Sequence, residues 1–234
     1  MPHVECEWGW NGVATLRDRC AVLVIVDVLS FSTAVEVAVS RGGVVFPFPH
    51  GDEVAAQVEA ERVGARLASR TRAGDQLSLS PVSLMKIEPG DRLVLPSPNG
   101  SRLSLEGGQA EVIAGCLRNR TAVVGLAKAL AGEESIGVIP AGERWPDGSL
   151  RPALEDWLGA GAVIDAIGAT SLSAEARAAR AAFRAARDEL GDVLRGCMSG
   201  RELIDRGFPQ DVEIALALDV SGTAPRLMGG AYRA

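Results

Sequence analysis

The chain has few of the residues that several common kinds of site require. Among 234 residues there are only two histidines and four cysteines, and the cysteines are far apart with no Cys-X-X-Cys pair. A structural zinc site is therefore not expected, because it needs four such ligands at characteristic spacings. Aromatic residues make up only 4% of the chain, so we expect a core built from Ala, Val, Leu and Ile.

Excess positive charge and long apolar runs are also missing. The formal net charge is −6 and the pI is near 5.1, which argues against general binding to nucleic acid or to an anionic membrane. No apolar run approaches the length of a membrane span, and the first ten residues do not resemble a signal peptide. We therefore expect a cytoplasmic protein without nucleic-acid or membrane partners.

Apolar runs alternate with helical patterns along most of the chain. The runs predict strands at residues 3–8, 21–26, 42–48, 66–70, 92–95, 111–114, 135–139 and 214–220. The periodic segments predict a helix from Phe31 and others at residues 52–68, 119–131, 152–169, 173–197 and 199–207. This alternation predicts one α/β domain over residues 1–234, a three-layer α/β/α fold with a largely parallel or mixed central sheet. Residues 71–90 are predicted to form a long loop over the site.

The most informative stretch joins the first long apolar run to the helix after it. Asp27 follows residues 21–26, and the helix is predicted to begin near Phe31. In open α/β sheets, ligands bind outside the carboxyl ends of strands, and a helix N-terminus there offers N–H groups to an anion. Asp27 could be a metal ligand, a nucleophile or only a helix cap. Leu29, in place of a second aspartate, argues against a haloacid-dehalogenase-type nucleophile.

Three later segments are predicted to open on the same crevice. The turn at residues 97–101 contains Asn99 and Gly100, which favour positive φ and an anion-binding backbone. Arg144 follows a predicted strand and could hold phosphate or carboxylate with two hydrogen bonds. Glu155 and Asp156 begin a helix and point about 100° apart, so one could bind a divalent cation while the other orients. Each segment also has a simpler interpretation. The turn could be an ordinary turn, Arg144 could be a solvated arginine, and the two acids could only complement the charge of a helix start.

Four segments, in this order, resemble the 2-phosphosulfolactate phosphatase (ComB-like) family. They read VDVLSFSTAVEVA, LPSPNGS, AGERWPDGSLRPALEDWLGAGAVIDAI and DVEIALALDVS followed by T and AP. The resemblance implies an α/β/α hydrolase, a magnesium-dependent phosphatase that converts 2-phospho-3-sulfolactate to 3-sulfolactate in coenzyme M biosynthesis. The site residues that it implies are Asp27, Asn99, Gly100, Glu155, Asp156 and Asp211.

The sequence departs from this family pattern at two places. Ser30 stands where the family typically has an arginine, and residues 78–81 read SLSP where a Gly-Asn-Ser-Pro type of turn is usual. Loss of a fixed cation beside an anion site is expected to change which acid is held. Arg144 and Arg102 are the candidates to supply the missing charge.

We therefore expect a Mg²⁺-dependent phosphomonoesterase that acts on a small anionic phosphate ester. Asp27, Glu155 and Asp156 are the expected catalytic residues, with Asp27 and Glu155 as ligands of Mg²⁺. Backbone N–H groups near residues 32–33 and 99–101 would hold the phosphoryl oxygens. The full set of expected substrate-binding residues is Ser32, Thr33, Asn99, Gly100, Ser101, Arg144 and Asp211.

Other hypotheses remain at this point. The protein could bind anions without catalysis, in which case phosphate or sulfonate would stabilise it without turnover, or it could hydrolyse a different phosphorylated hydroxy acid. A hydrolase with Cys116 or Cys197 as nucleophile is disfavoured, because only His3 and His50 could activate the thiol. The attacking group, the number of metal ions and the oligomeric state, with a homodimer among the options, are left open.

Overall fold

The computed structural model describes residues 2–234, in which nine strands form one sheet. Two further strands, Glu143–Arg144 and Leu150–Arg151, pair only with each other. The strands are β1 (Val4–Cys6), β2 (Val22–Val26), β3 (Val44–Pro49), β4 (Arg66–Leu67), β5 (Arg92–Ser97), β6 (Glu111–Gly115), β7 (Ile136–Pro140), β8 (Glu143–Arg144), β9 (Leu150–Arg151), β10 (Arg226–Met228) and β11 (Ala231–Arg233). The order in the sheet is β1-β7-β2-β6-β10-β11-β3-β5-β4.

Helices connect most of these strands. They are α1 (Gly9–Leu16), α2 (Phe31–Ser40), α3 (Glu53–Val63), α4 (Pro81–Leu84), α5 (Gly100–Leu105), α6 (Arg120–Ala131), α7 (Leu154–Ile167), α8 (Ala174–Ala186), α9 (Leu190–Gly196), α10 (Met198–Asp205) and α11 (Pro209–Leu216). Within residues 2–234, none of the helices has both the length and the apolar composition needed to span a bilayer.

The sheet contains two parallel groups of strands joined by an antiparallel hairpin. In the first group β1, β7, β2 and β6 are parallel neighbours, and in the second β3, β5 and β4 are. The β10–β11 hairpin lies between the groups and pairs antiparallel with β6 on one side and with β3 on the other. This mixed sheet with its helices confirms the predicted α/β fold class.

β2 is covered on both faces, which explains why its sequence shows no alternation. All five of its residues are buried. Val22, Val24 and Val26 pack into one hydrophobic cluster together with residues of α6, α7 and α8. Leu23 and Ile25 point to the opposite face and pack with residues of α1 and α2. The strand therefore emerges from the core only at its carboxyl end, where Asp27 follows.

One predicted element near the C-terminus is wrong, and another is found with an interruption. Residues 214–220 do not form a strand, because α11 occupies the chain up to Leu216 and the following residues are irregular. Pro209 at the start of α11 and Asp211 in its first turn are the local reasons, since both favour a helix N-terminus. The long helix predicted at residues 173–197 is interrupted by a 3₁₀ turn at Arg187–Glu189.

The predicted loop at residues 71–90 contains one short helix. α4 begins at Pro81, and the Ser80 side chain caps it by accepting a hydrogen bond from Ser83 N. The strand predicted at residues 66–70 is limited to Arg66–Leu67, with one isolated bridge between Ser69 and Ser78 beyond it. The loop is thereby held against the sheet at its start and against a helical turn near its end.

Candidate active site

Asp27 lies directly after β2 and is only 6% exposed. Its Oδ1 accepts a hydrogen bond from Phe31 N at the start of α2 (2.9 Å), and its Oδ2 accepts one from Gly100 N at the start of α5 (3.0 Å). Burial raises the pKa of Asp27 to about 6, against the effect of these two N–H groups, and the charge of Glu155 adds to the rise. The carboxylate is thus fixed where the segments after β2 and β5 meet.

Asp156, in the first turn of α7, holds two other backbone segments. Its Oδ1 accepts a hydrogen bond from Val28 N (2.7 Å) and its Oδ2 accepts one from Gly142 N (2.9 Å). The side chain therefore joins the segment after β2 to the segment after β7. Burial raises the pKa of Asp156 well above its usual value, and the charges of Asp27 and Glu155 add to this effect.

Glu155 has different surroundings from its neighbour in sequence. It is only 2% exposed, and its Oε2 accepts a hydrogen bond from the Cys197 thiol at 3.3 Å. Its negative charge contributes to raising the pKa of Asp27, Asp156 and Glu143. The two adjacent carboxylates of α7 are therefore both turned inward but contact different parts of the chain.

Glu143 completes a group of four acidic side chains that the sequence analysis did not identify as a set. Its Oε2 accepts a hydrogen bond from Asn99 Nδ2 at 2.8 Å. Burial raises the pKa of Glu143 to about 7, and the charge of Asp27 is the next largest cause. We call Asp27, Glu143, Glu155 and Asp156 the carboxylate cluster. The predicted residue Asn99 lies at its edge.

A guanidinium group reaches the cluster from the long loop. Arg72 Nη2 donates to Ser30 Oγ (3.0 Å) and Nη1 donates to Asp211 Oδ2 (2.7 Å), and the side chain is only 11% exposed. Its charge opposes the rise in the pKa of Asp27. The cation beside Ser30 is therefore Arg72, and neither Arg102 nor Arg144 occupies this position.

Asp211 is connected to the cluster through Arg72. It is 1% exposed and also accepts hydrogen bonds from Ser80 Oγ (2.5 Å) and Val82 N (3.2 Å). These bonds anchor the loop and α4 to the first turn of α11. Asp211 therefore lies behind Arg72, and the role predicted for it in binding substrate stays a prediction.

The hydroxyls of three predicted substrate-binding residues are used within the chain. Ser32 Oγ donates to Ile25 O (2.8 Å), Thr33 Oγ to Val28 O (2.8 Å) and Ser101 Oγ to Leu95 O (2.9 Å), and all three residues are 0% exposed. Ser32 N donates to Asp27 O, and Gly100 N to the Asp27 carboxylate. Ser32 N, Gly100 N and these hydroxyls therefore shape the turns around Asp27, and the binding role predicted for the backbone of residues 32–33 and 99–101 stays a prediction.

Arg144 lies at the surface of a cleft beside the cluster. The cleft has a volume of about 420 Å³, and Asn99, Glu143 and Arg144 are among the residues that line it. Arg144 Nη1 donates to Gly148 O at 3.2 Å. The predicted anion-binding arginine and two polar groups of the site therefore face one space.

The donor chemistry of the cluster suits Mg²⁺, although no complete metal site is preformed. Within residues 2–234, no three His, Cys, Asp or Glu side chains are grouped as a ready-made set of metal ligands. Mg²⁺ commonly binds through only one or two carboxylates, with water and substrate phosphate as the other ligands. Asp27 and Glu155 offer such carboxylate oxygens, and their repulsion is what a cation would relieve. The metal stays a prediction.

Comparison with known proteins identifies the family. The sequence profile described as 2-phosphosulpholactate phosphatase matches residues 13–230. The chain belongs to this family. A probable 2-phosphosulfolactate phosphatase of Thermotoga petrophila is 30% identical over 219 residues, which cover 92% of each chain. The 2-phosphosulfolactate phosphatase of Methanothermobacter thermautotrophicus is 32% identical over 207 residues, which cover 86% of this chain and 84% of the relative.

The match confirms the family resemblance found in the sequence. A third relative, a probable 2-phosphosulfolactate phosphatase of Thermotoga maritima, is 29% identical over 220 residues, or 92% of each chain. The family and these relatives are named as phosphatases of 2-phosphosulfolactate, which are phosphoric monoester hydrolases, the enzyme class that the sequence predicts. The carboxylate cluster, Arg72 and Asp211 all lie within the matched residues.

Proposed function

We propose that the protein is a Mg²⁺-dependent phosphatase that hydrolyses the phosphate monoester of a small hydroxy acid. The names of its relatives point to the conversion of 2-phospho-3-sulfolactate to 3-sulfolactate and phosphate. The observation that supports this most strongly is the carboxylate cluster at the carboxyl end of β2, three of whose four members are buried. The charge of Glu155 raises the pKa of Asp27, Glu143 and Asp156, and the charge of Asp27 raises the pKa of the last two, so the cluster needs a cation or protons to neutralise it.

Asp27 and Glu155 would hold Mg²⁺ together with the phosphate of the substrate. A bound ion would offset the negative charge of the phosphoryl group as it is transferred. Asp27 is held by Phe31 N and Gly100 N before any ligand arrives. Asp156 would act as a positioning residue, because it fixes the backbone at Val28 next to Asp27.

Glu143 is suited to supply a proton to the leaving group. Its pKa of about 7 leaves it partly protonated at neutral pH, and the bond from Asn99 occupies only one of its two oxygens. In hydrolysis the ester P–O bond breaks, the oxygen of water bonds to phosphorus and gives up one proton to the solvent, and the leaving oxygen gains one. Glu143 lines the cleft, so it is placed to donate that proton to an alcohol leaving there.

Phosphate release from a panel of phosphorylated hydroxy acids, with Mg²⁺ or with EDTA, tests the proposed function. The panel includes 2-phospho-3-sulfolactate and 2-phospholactate. We expect turnover that requires Mg²⁺ and falls by about 10²-fold or more in Asp27→Asn, in the range seen when positioned catalytic groups are removed. Absence of turnover for every ester would reject the proposal. Stabilisation by phosphate without turnover would then support a non-catalytic anion-binding protein.

The proposal also includes other expectations from the sequence. The cytoplasmic location, the homodimer and the place of the reaction in coenzyme M biosynthesis stay predictions. The same holds for the absence of nucleic-acid partners, which follows only from the net charge of −6.

A further inference from the structure

The cleft beside the carboxylate cluster has a lining that the proposed reaction does not yet use. Asn99 and Glu143 connect it to the site. Much of the remaining lining is apolar and includes Trp8, Trp10 and Leu150. Leu150 is 42% exposed, so its side chain presents apolar surface to the space. The cleft therefore combines contact with the site and a surface suited to an apolar group.

Two guanidinium groups line the same cleft. Arg102 lies over the Trp10 ring, with its Cζ 4.1 Å from the ring centre. Arg144 donates a hydrogen bond to Gly148 O. Within the part of the chain that the structure describes, neither forms an ion pair with a carboxylate, so both are free to bind an anion. Arginine on an aromatic face, with donors left over, is well suited to bind a carboxylate.

The volume of the cleft exceeds what a three-carbon acid requires. At about 420 Å³ it falls in the range of roughly 300–1,000 Å³ that is typical of pockets for larger organic ligands. An acid of three carbons with one further anionic group would leave the apolar surface of Trp10 and Leu150 in contact with water. A ligand with a sizeable apolar group would cover that surface.

We propose that the cleft binds the organic part of the substrate, and that this part is a 2-hydroxy acid with an aromatic side chain. The inference rests on the proposed phosphatase function and specifies its substrate class. The carboxylate of the acid lies at Arg102 and Arg144, and its ring lies against Trp10 and Leu150. The phosphate on the 2-oxygen then extends past Glu143 toward the carboxylate cluster.

The test compares three phosphate esters in the presence of Mg²⁺. They are 2-phospho-3-phenyllactate, 2-phospholactate, which lacks the ring, and 1-phenylpropan-2-yl phosphate, which lacks the carboxylate. We expect kcat/KM to be at least about 10-fold higher for the first ester than for the second, because the ring is removed from water. We expect a similar loss for the third, because it cannot bind the two arginines.

Matched variants locate the effect in the cleft. Leu150→Ala should remove most of the preference for the ring, and its exposure makes a folding defect unexpected. Arg102→Ala should raise KM for both carboxylate esters and leave the third ester unchanged. Arg92→Ala is the control for Arg102→Ala, since Arg92 lies over Phe46 at 5.1 Å, away from this cleft. Substitution of Trp145, which is exposed and does not line the cleft, is the control for Leu150→Ala.

Failure of this inference can be told apart from failure of the proposed function. Equal kcat/KM for phenyllactate and lactate esters, with turnover of both, would overturn the assignment of the cleft but not the phosphatase. If no ester is hydrolysed, calorimetric binding of phenyllactate and lactate themselves still decides the matter. Tighter binding of phenyllactate that is lost in Leu150→Ala supports the cleft, and equal binding overturns it.

Discussion

Replacing Gly100 by alanine would place a methyl group directly beside Asp27. The new Cβ would overlap the Phe31 ring and lie 2.8 Å from Asp27 Oδ2. Neither neighbour can move away freely. Phe31 is 0% exposed, and the Asp27 carboxylate is held by Phe31 N as well as by Gly100 N. The substitution therefore forces apart the segments that meet at the site.

The expected loss of stability is about 2–3 kcal/mol, the upper part of the range of roughly 1–3 kcal/mol for overpacking in a well-packed core. For a chain of this length, each kcal/mol corresponds to roughly 2–4 °C in Tm. The melting temperature should thus fall by about 4–12 °C. Activity should fall by about 10²-fold, because a displacement of about 1 Å in a catalytic group has effects of that size.

Gly125→Ala is the matched control for this substitution. Gly125 lies on the exposed side of α6, and an added Cβ would meet no heavy atom within 4 Å. Alanine there should stabilise the protein by about 0.5–1 kcal/mol, because it limits the unfolded chain and favours the helix. Urea unfolding and phosphate release are measured for both variants. If Gly100→Ala matches wild type in both assays, the close contact among Phe31, Asp27 and Gly100 is wrong.

Three further predictions follow from the burial of ionisable side chains. Arg72→Gln should lower the free energy of unfolding in urea by about 3–5 kcal/mol, because it leaves Asp211 buried without its cation. The control Arg70→Gln, at an exposed ion pair, should change it by less than about 1 kcal/mol. Equal losses in the two variants would contradict a buried ion pair between Arg72 and Asp211. The pKa values of Asp27 and Glu143, about 6 and 7, lie above those of unfolded carboxyls, so the folded state binds more protons. The free energy of unfolding in EDTA should therefore fall as pH rises from about 4 to 7. If Glu143→Gln leaves the dependence of Tm on pH unchanged, Glu143 does not contribute to this fall. Burial raises the pKa of all four cysteine thiols. Iodoacetamide at pH 8 should therefore leave activity unchanged, whereas rapid inactivation would restore the thiol-nucleophile hypothesis.

The position of Asp27 could be predicted because local pattern determines it. An apolar run without alternation marks a covered strand, and the helix at Phe31 follows within five residues. Arg72 and Glu143 could not be placed in this way. Arg72 lies in an irregular loop, so tertiary packing alone brings it to the site. The segment after β7 is predicted to open on the crevice, but its two-residue strand does not indicate that Glu143 joins the other acids.

Two other differences have recognisable local causes. Backbone N–H groups near residues 32–33 are predicted to hold an anion, but Ser32 N donates to Asp27 O. The Ser32 and Thr33 hydroxyls bond to nearby backbone carbonyls, a common competing role. The β10–β11 hairpin was missed because each strand has three residues. Its signal was present in Gly229 and Gly230, which both adopt positive φ (57° and 80°) between the paired strands, as the favoured two-residue hairpin turns require.

The arrangement of charge explains how an acidic protein can bind an acidic ester. Three of the four carboxylates of the cluster are buried, and Glu143 is half-buried. Arg72 bonds to Ser30 beside the cluster, whereas Arg102 and Arg144 line the cleft that Glu143 also lines. A phosphate dianion placed among the carboxylates alone would be repelled, and a divalent cation held there by one or two carboxylates would keep coordination positions open for phosphate oxygens. A bound cation therefore raises the affinity of the site for phosphate, and by linkage bound phosphate raises its affinity for the cation by the same factor. The ester and Mg²⁺ are thus expected to bind as a pair, with the arginines holding the part of the ester that the metal does not reach.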